Sequence, residues 1–120
     1  DREAHVEACE YLQSAIDAIE TRNLSFRPSL MLEAVYYEAA IRGDYERAKE
    51  WRQRIPTKAP LDPVKANRAD AALQLVSGNG EIAKRRIAAA REALAQSLDL
   101  GTRAAESELL DKLEAELILA

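Results

Sequence analysis

Apolar residues recur three and four positions apart along almost the whole chain, with polar or charged residues between them. This spacing is the period of an amphipathic helix, whereas a half-buried strand would alternate apolar and polar residues. Alanine, the strongest helix former, is frequent, and runs of β-branched residues are nearly absent. The pattern therefore predicts an all-α chain of about six helices.

Helix-breaking and capping residues divide this pattern into segments. Pro56 and Pro60 lack amide donors and end the third helix. Asp62 is predicted to cap the fourth helix with Pro63 as its first residue, and Thr102 is predicted to cap the sixth. The predicted helices span about 3–21, 29–42, 45–55, 63–76, 80–98 and 102–119.

A short segment recurs along the chain. The run 43–48 aligns with 78–83, so Gly43 and Ala48 recur as Gly78 and Ala83 after 35 positions. Glycine permits a sharp reversal between two helices, and a small alanine lets the second helix approach the first closely. The period resembles that of tetratricopeptide repeats, which implies antiparallel helical hairpins stacked as a right-handed superhelix.

On this reading residues 1–120 form one helical-repeat domain. Residues 1–22 are the second helix of a partial repeat, 29–60 and 62–98 are repeats, and 102–119 is a capping helix. The repeats depart from the family pattern, because its usual first-helix residues are replaced. The positions concerned hold Leu32, Val35, Tyr36 and Ala39 in one repeat and Val64, Asn67, Arg68 and Ala71 in the next. The family's usual ligand residues are therefore not expected.

A second resemblance covers nearly the whole chain. It rests on Asn23-Leu24 to Leu30, Leu32 to Ala39, Arg42-Gly43-Asp44, Ala48, Trp51, Asp62-Pro63 and Arg68 to Ala72. These residues look like the C-terminal soluble helical segment of bacterial site-2-protease-type membrane zinc metallopeptidases. The resemblance implies an appended domain whose parent carries the His-Glu-x-x-His motif in an upstream membrane region, with no catalytic residue in this part. The opening residues Asp1-Arg2-Glu3 likewise suggest an excised piece.

Charge, apolar content and cysteine content limit the partners and the compartment that we expect for this chain. The pI is near 5.1 and the net charge is −4, although residues 42–91 carry twelve basic and six acidic side chains. Every apolar run is far shorter than the roughly 20 residues that span a bilayer, so no membrane insertion is expected. The single cysteine fits a reducing compartment. We therefore expect a cytoplasmic domain, with tethering to a membrane by upstream segments left open.

The sequence contains few candidates for metal-binding or catalytic residues. His5 and Cys9 stand one helical turn apart, as two metal ligands can, but a surface histidine beside a half-buried cysteine is favoured because further ligands are lacking. No metal, cofactor or catalytic residue is expected in this part of the chain. The acidic residues of the last helix are read as a solvated face opposite Leu109, Leu113 and Leu117.

Some aromatic and basic residues are candidates for partner contact. Tyr36 and Trp51 are expected in the core. The candidate contact residues are Tyr37, Tyr45, Arg68, Lys84, Arg85 and Arg86. Nucleic acid is disfavoured because the chain is acidic and the basic run has no interleaved aromatic residues. A solvated helix face is the favoured interpretation of the basic run. If the domain is tethered to a membrane, this run is the surface to test against lipid headgroups.

These observations favour a noncatalytic interaction module that binds a protein or peptide partner, or the upstream domain of its parent chain. A free-standing tetratricopeptide-like scaffold and a helical dimerisation domain remain alternatives. The second alternative rests on the apolar end of the last helix, Leu117-Ile118-Leu119, which exceeds what a free cap needs.

Overall fold

All regular structure in the part of the chain that can be described is helical. The structure, a computed structural model, describes residues 28–58, 60–97 and 99–119 and the single positions Glu7, Glu10 and Ser14. Its five helices are α1 Pro28–Tyr36, continued by a π-helical turn Tyr37–Ile41, α2 Tyr45–Arg54, α3 Pro63–Val76, α4 Gly80–Ala95 and α5 Leu100–Leu119. The all-α prediction is confirmed. The described helices number five rather than six. Of the predicted first helix, 3–21, only Glu7, Glu10 and Ser14 are described, and each is helical.

Short acidic side chains begin two of the helices. Asp44 accepts a hydrogen bond from the amide of Arg47 at 3.0 Å at the start of α2. Asp62 accepts from the amide of Val64 at 2.9 Å, and Pro63 is the first residue of α3. Each carboxylate satisfies an amide that has no partner within its helix. The capping role predicted for Asp62 is confirmed.

The start of α5 differs from the prediction. The helix begins at Leu100, and the capping side chain is Asp99 rather than Thr102. The hydroxyl of Thr102 donates to Asp99 Oδ2 at 2.6 Å, and the amide of Gly101 donates to Oδ1 at 3.1 Å. These bonds, first that of the Thr102 hydroxyl, hold the pKa of Asp99 below its usual value. Gly101 therefore lies inside the first turn of α5.

Two glycines reverse the chain between helices, as predicted. Gly43 has a φ of 66° and Gly78 a φ of 89°, a conformation that other residues adopt only with strain. Five positions after each glycine, Ala48 and Ala83 are fully buried. The spacing of 35 residues thus relates two glycines that both have a positive φ, and two alanines that are both fully buried.

Helix α3 is the centre of the fold. It packs against α1, α2, α4 and α5, and α4 packs in turn against α5. The buried apolar residues from all five helices form one core, which includes Tyr36 and Trp51 as predicted. An ion pair between Arg52 and Asp70, with Nε and Oδ1 2.8 Å apart, also joins α2 to α3. The α1–α2 hairpin therefore lies on one side of α3 and α4 on another.

The π-helical turn at the end of α1 was not predicted. The amide of Arg42 donates to the carbonyl of Tyr37 at 3.0 Å, the spacing of a π-helix. Within the turn, Glu38 is 4% exposed, and Oε1 lies 3.7 Å from Arg42 Nη1 and 3.6 Å from Arg47 Nε. Burial raises the pKa of Glu38, and the two arginines only partly oppose this effect.

Candidate interaction surface

Arg68 is a buried structural residue. Its side chain is 1% exposed, and it was predicted to be a contact residue for a partner, so that prediction is corrected. Nε donates to Glu106 Oε2 at 2.7 Å, Nη2 donates to Glu106 Oε1 at 3.2 Å, and Nη2 also donates to Glu33. One guanidinium therefore links α1, α3 and α5. We call Arg68, Glu33, Glu106 and Tyr36 the Arg68 cluster.

The electrostatics of the Arg68 cluster explain why a charge is tolerated in the core. Burial disfavours the charged form of Arg68, but the carboxylates of Glu33 and Glu106 outweigh it and raise its pKa. The guanidinium carbon lies 4.6 Å from the centre of the Tyr36 ring. Burial raises the pKa of Tyr36 to about 12, although the nearby positive charge opposes that shift. The cluster is thus a buried ionic contact between helices, with one positive charge set against two carboxylates, and not a surface for a ligand.

The acidic face predicted for α5 is also partly wrong. Glu106 is 6% exposed because it pairs with Arg68 in the core. Asp111 and Glu114 both accept from Arg91 of α4, at 2.7 and 2.6 Å. These hydrogen bonds, first that of Glu114, raise the pKa of Arg91. The carboxylates of α5 therefore hold it against α3 and α4.

A groove runs along the seam between α4 and α5. It has two depressions, one of about 350 Å³ at the start of α4 and one of about 390 Å³ towards its end, and Arg91 lines both. We call the two together the α4–α5 groove. The first is lined by Lys84, Ile87, Ala88, Arg91, Glu114, Leu117 and Ile118, and the second by Arg91, Leu94, Ala95, Arg103, Ala104 and Ser107.

The antiparallel course of α4 and α5 forms this groove. A β-carbon built on Gly80, at the start of α4, would lie 3.3 Å from Leu117 Cδ1, near the end of α5. The buried side chains of Ile87 and Leu94 lie on the groove side of α4. Ile118 lines the same groove but is 82% exposed. The surface therefore combines an apolar floor with an apolar side chain that nothing in the described residues covers.

The basic run on α4 splits between this groove and other faces. Lys84 lines the groove, Arg85 is exposed outside its lining, and Arg86 reaches Asn67 of α3 with a 3.4 Å bond to Oδ1. The three basic side chains therefore point in different directions around α4, and only Lys84 lines the groove.

The tyrosine candidates lie elsewhere. Tyr37 and Tyr45 are half-buried and pack against the core at the α1–α2 hairpin. The ring of Tyr37 meets that of Tyr36 edge-on with centres 5.9 Å apart, and Lys49 lies over the ring of Tyr45 at 5.5 Å. Helix α3 separates this hairpin from α4. The predicted contact residues therefore do not form one site.

Two residues of the groove, Arg91 and Arg103, were not among the predicted contact residues, whereas Ile118 was part of the apolar end proposed for dimerisation. A usable signal was present, because Lys84, Ala88, Arg91 and Ala95 follow helical spacing along one side of α4. No motif marked that side as different from an ordinary solvated face.

Among the described residues, no group of three or more histidine, cysteine or acidic residues is arranged to hold a metal ion. None of their helices combines the length and the apolar character that a bilayer span requires. His5 and Cys9 lie outside the described residues.

Comparison with protein-family models, with curated proteins and with solved structures found no match to this chain. The class that the fold itself defines is therefore an all-α domain with an open groove between its last two helices.

Proposed function

We propose that this chain is a noncatalytic protein-interaction and regulatory domain whose contact surface is the α4–α5 groove. The observation that carries the proposal is the groove's apolar floor beside Ile118, a large apolar side chain left 82% exposed. Contiguous apolar surface next to charged residues is typical of sites that bind another protein. The occupant is a protein or peptide partner or the upstream domain of the parent chain.

The proposed architecture is a tetratricopeptide-like stack. The α1–α2 and α3–α4 hairpins are its two repeats, and α5 covers the second. Support comes from Gly43 and Gly78, which share a positive φ, and from Ala48 and Ala83, which share complete burial at the same spacing. In such a stack each helix pair packs against the next helix along the chain. The α4–α5 groove lies along that contact at the end of the described chain.

The proposed context is the tail of a membrane zinc metallopeptidase of the site-2-protease type. Its support is the sequence resemblance over residues 23–72. The reading frame upstream of Asp1 tests it. Several apolar segments of about 20 residues, one with a His-Glu-x-x-His motif, would agree with the proposal. Further soluble repeats of about 34 residues would contradict it and favour a free-standing scaffold.

A homodimer through α5 is the second candidate. Ile118 and Leu119 are 82% and 86% exposed, so the end of α5 offers an apolar surface to a second copy. Light scattering over a range of protein concentrations tests it. A monomer at every concentration would reject the dimer, whereas a dimer that Ile118→Asp dissociates would support it.

In-cell photo-crosslinking tests the proposed function itself. A photoreactive residue replaces Ala88, which is exposed in the groove, in the full-length protein. The matched control places it at Gln53, exposed on α2. We expect a defined macromolecular adduct from position 88 that is absent from position 53. The same adducts from both positions, or none from position 88, would contradict an interaction role for the groove.

A further inference from the structure

Each end of the α4–α5 groove carries an exposed cation. Lys84 lines the first depression and Arg103 the second, and both are exposed. Within the described residues, no carboxylate lies within ion-pair distance of either side chain. Arg91, which lies between them, has two such partners, Asp111 and Glu114. The ends of the groove are therefore positive.

The middle of the groove has a net negative charge, in contrast to its ends. Arg91 is bound by both Asp111 and Glu114, so one positive charge is set against two negative charges. These three side chains separate the first depression, which is mainly apolar, from the second, which has both polar and apolar lining. A ligand lying along the groove meets a positive end, a slightly negative centre and a second positive end. This order of charges distinguishes the groove from a uniform basic patch.

The length of the groove fits a short helix. Lys84 is eleven residues from Ala95, the α4 residue that lines the second depression with Arg103. At 1.5 Å per residue the separation along α4 is about 16 Å, or three helical turns. A helix packs against a pair of antiparallel helices along their seam, as in a helical bundle. Apolar residues four and seven positions from its first contact would face the two depressions.

We propose that the α4–α5 groove binds an amphipathic helix of another protein that carries an acidic residue at each end of its apolar face. This inference rests on the proposed interaction function and names its ligand class. Acidic residues eleven positions apart fall on the same side of a helix, so one can reach Lys84 while the other reaches Arg103. The residue between them that meets Arg91 and its two carboxylates is neutral.

The test uses a defined probe. It is a fluorescein-labelled, alanine-rich helical peptide with glutamates eleven positions apart and two leucines on the same face, at the fourth and seventh positions after the first glutamate. A matched peptide has lysine in place of both glutamates, and a second has serine in place of both leucines. Fluorescence anisotropy measures the affinity of each for the chain. We expect the glutamate–leucine peptide to bind tightest and to weaken as salt is raised.

Charge reversal on the protein tests whether the two peptide glutamates contact Lys84 and Arg103. Lys84→Glu combined with Arg103→Glu should weaken binding of the glutamate peptide by about three- to tenfold, since exposed ion pairs are individually modest. The same variant should improve binding of the lysine peptide. Arg85→Glu is the control, because Arg85 is exposed on the same helix but outside the groove lining. We expect it to change the affinity less than about twofold.

Failure of this inference can be told apart from failure of the proposed function. Equal binding of the glutamate and lysine peptides, or equal effects of the groove variant and Arg85→Glu, would overturn the acidic-helix assignment. Absence of peptide binding while position 88 still crosslinks to a protein would also overturn it and leave the interaction role intact. A dimer whose interface occupies the groove would overturn it in favour of a second copy.

Discussion

Replacing Arg68 with methionine tests whether the Arg68 cluster holds the fold together. Methionine keeps much of the length and packing of the arginine stem but removes the charge. The carboxylate of Glu106, whose side chain is 8% exposed, would then lack its cation inside the core. Glu33 is 23% exposed and can turn towards solvent. Most of the loss of stability should therefore come from the buried, unpaired carboxylate of Glu106.

The magnitude follows from this burial. Removing one partner of a buried ion pair costs about 3–5 kcal/mol, because the other charge remains desolvated. A domain of this size has a free energy of unfolding of about 5–15 kcal/mol, so the variant should lose a large share of its stability. Adding Glu106→Leu removes the stranded carboxylate. We expect the double variant to recover at least about 2 kcal/mol relative to Arg68→Met alone.

Urea unfolding followed by circular dichroism measures these differences. Arg85→Met is the control, because Arg85 is exposed on α4, and it should change the free energy of unfolding by less than about 0.5 kcal/mol. A loss below about 1 kcal/mol for Arg68→Met would refute the reasoning. So would strict additivity of Arg68→Met and Glu106→Leu, since residues in contact should be coupled.

Three further variants test single features. Gly43→Ala should lower the free energy of unfolding by about 1 kcal/mol in urea unfolding because of the positive φ, whereas Gly101→Ala, inside a helix, should not lower it. Asp62→Ala should cost about 1 kcal/mol by the same measurement, since two first-turn amides lose their acceptor, and no loss would contradict the cap. Burial raises the pKa of Glu38, so its ionisation destabilises the folded chain above that pKa and has no such effect below the ordinary carboxyl pKa. Glu38→Gln should therefore stabilise the chain at about pH 7 but not at about pH 3.5, and a gain that is equal at both pH values would contradict this.

The local features of the fold could be predicted because they depend on neighbouring residues. The cap at Asp62 and the reversals at Gly43 and Gly78 need only short-range hydrogen bonds and backbone freedom. The sequence favours Thr102 as the cap, but Asp99, three residues earlier, is the stronger acceptor and caps the helix, which begins at Leu100. The π-helical turn was missed because its pattern differs from that of an α-helix by a single residue.

The ionic contacts could not be predicted because their partners are far apart in sequence. Arg68 lies 35 residues from Glu33 and 38 from Glu106. One signal was available: Arg68 is four positions after Val64 and three before Ala71, on the apolar side of its helix. A charge at such a position indicates a buried pair, but the sequence does not name its partner.

The groove was predictable only in part. The apolar end of α5 and the basic residue Lys84 were both recognised, but their meeting on one surface depends on how α4 and α5 pack. The same packing pairs Arg91 with two carboxylates, whereas no carboxylate among the described residues lies within ion-pair distance of Arg103. The difference between these two arginines cannot be read from local sequence.

The measurement that tests the central claim most directly is a map of backbone amide shifts by NMR as the glutamate–leucine peptide is added. We predict that the largest shifts fall on residues lining the α4–α5 groove, around Ala88 and Ala95 on one helix and Ser107 and Ile118 on the other. Residues of the α1–α2 hairpin should change little. Shifts centred on that hairpin, or none at saturating peptide, would contradict the claim that the groove receives a helix.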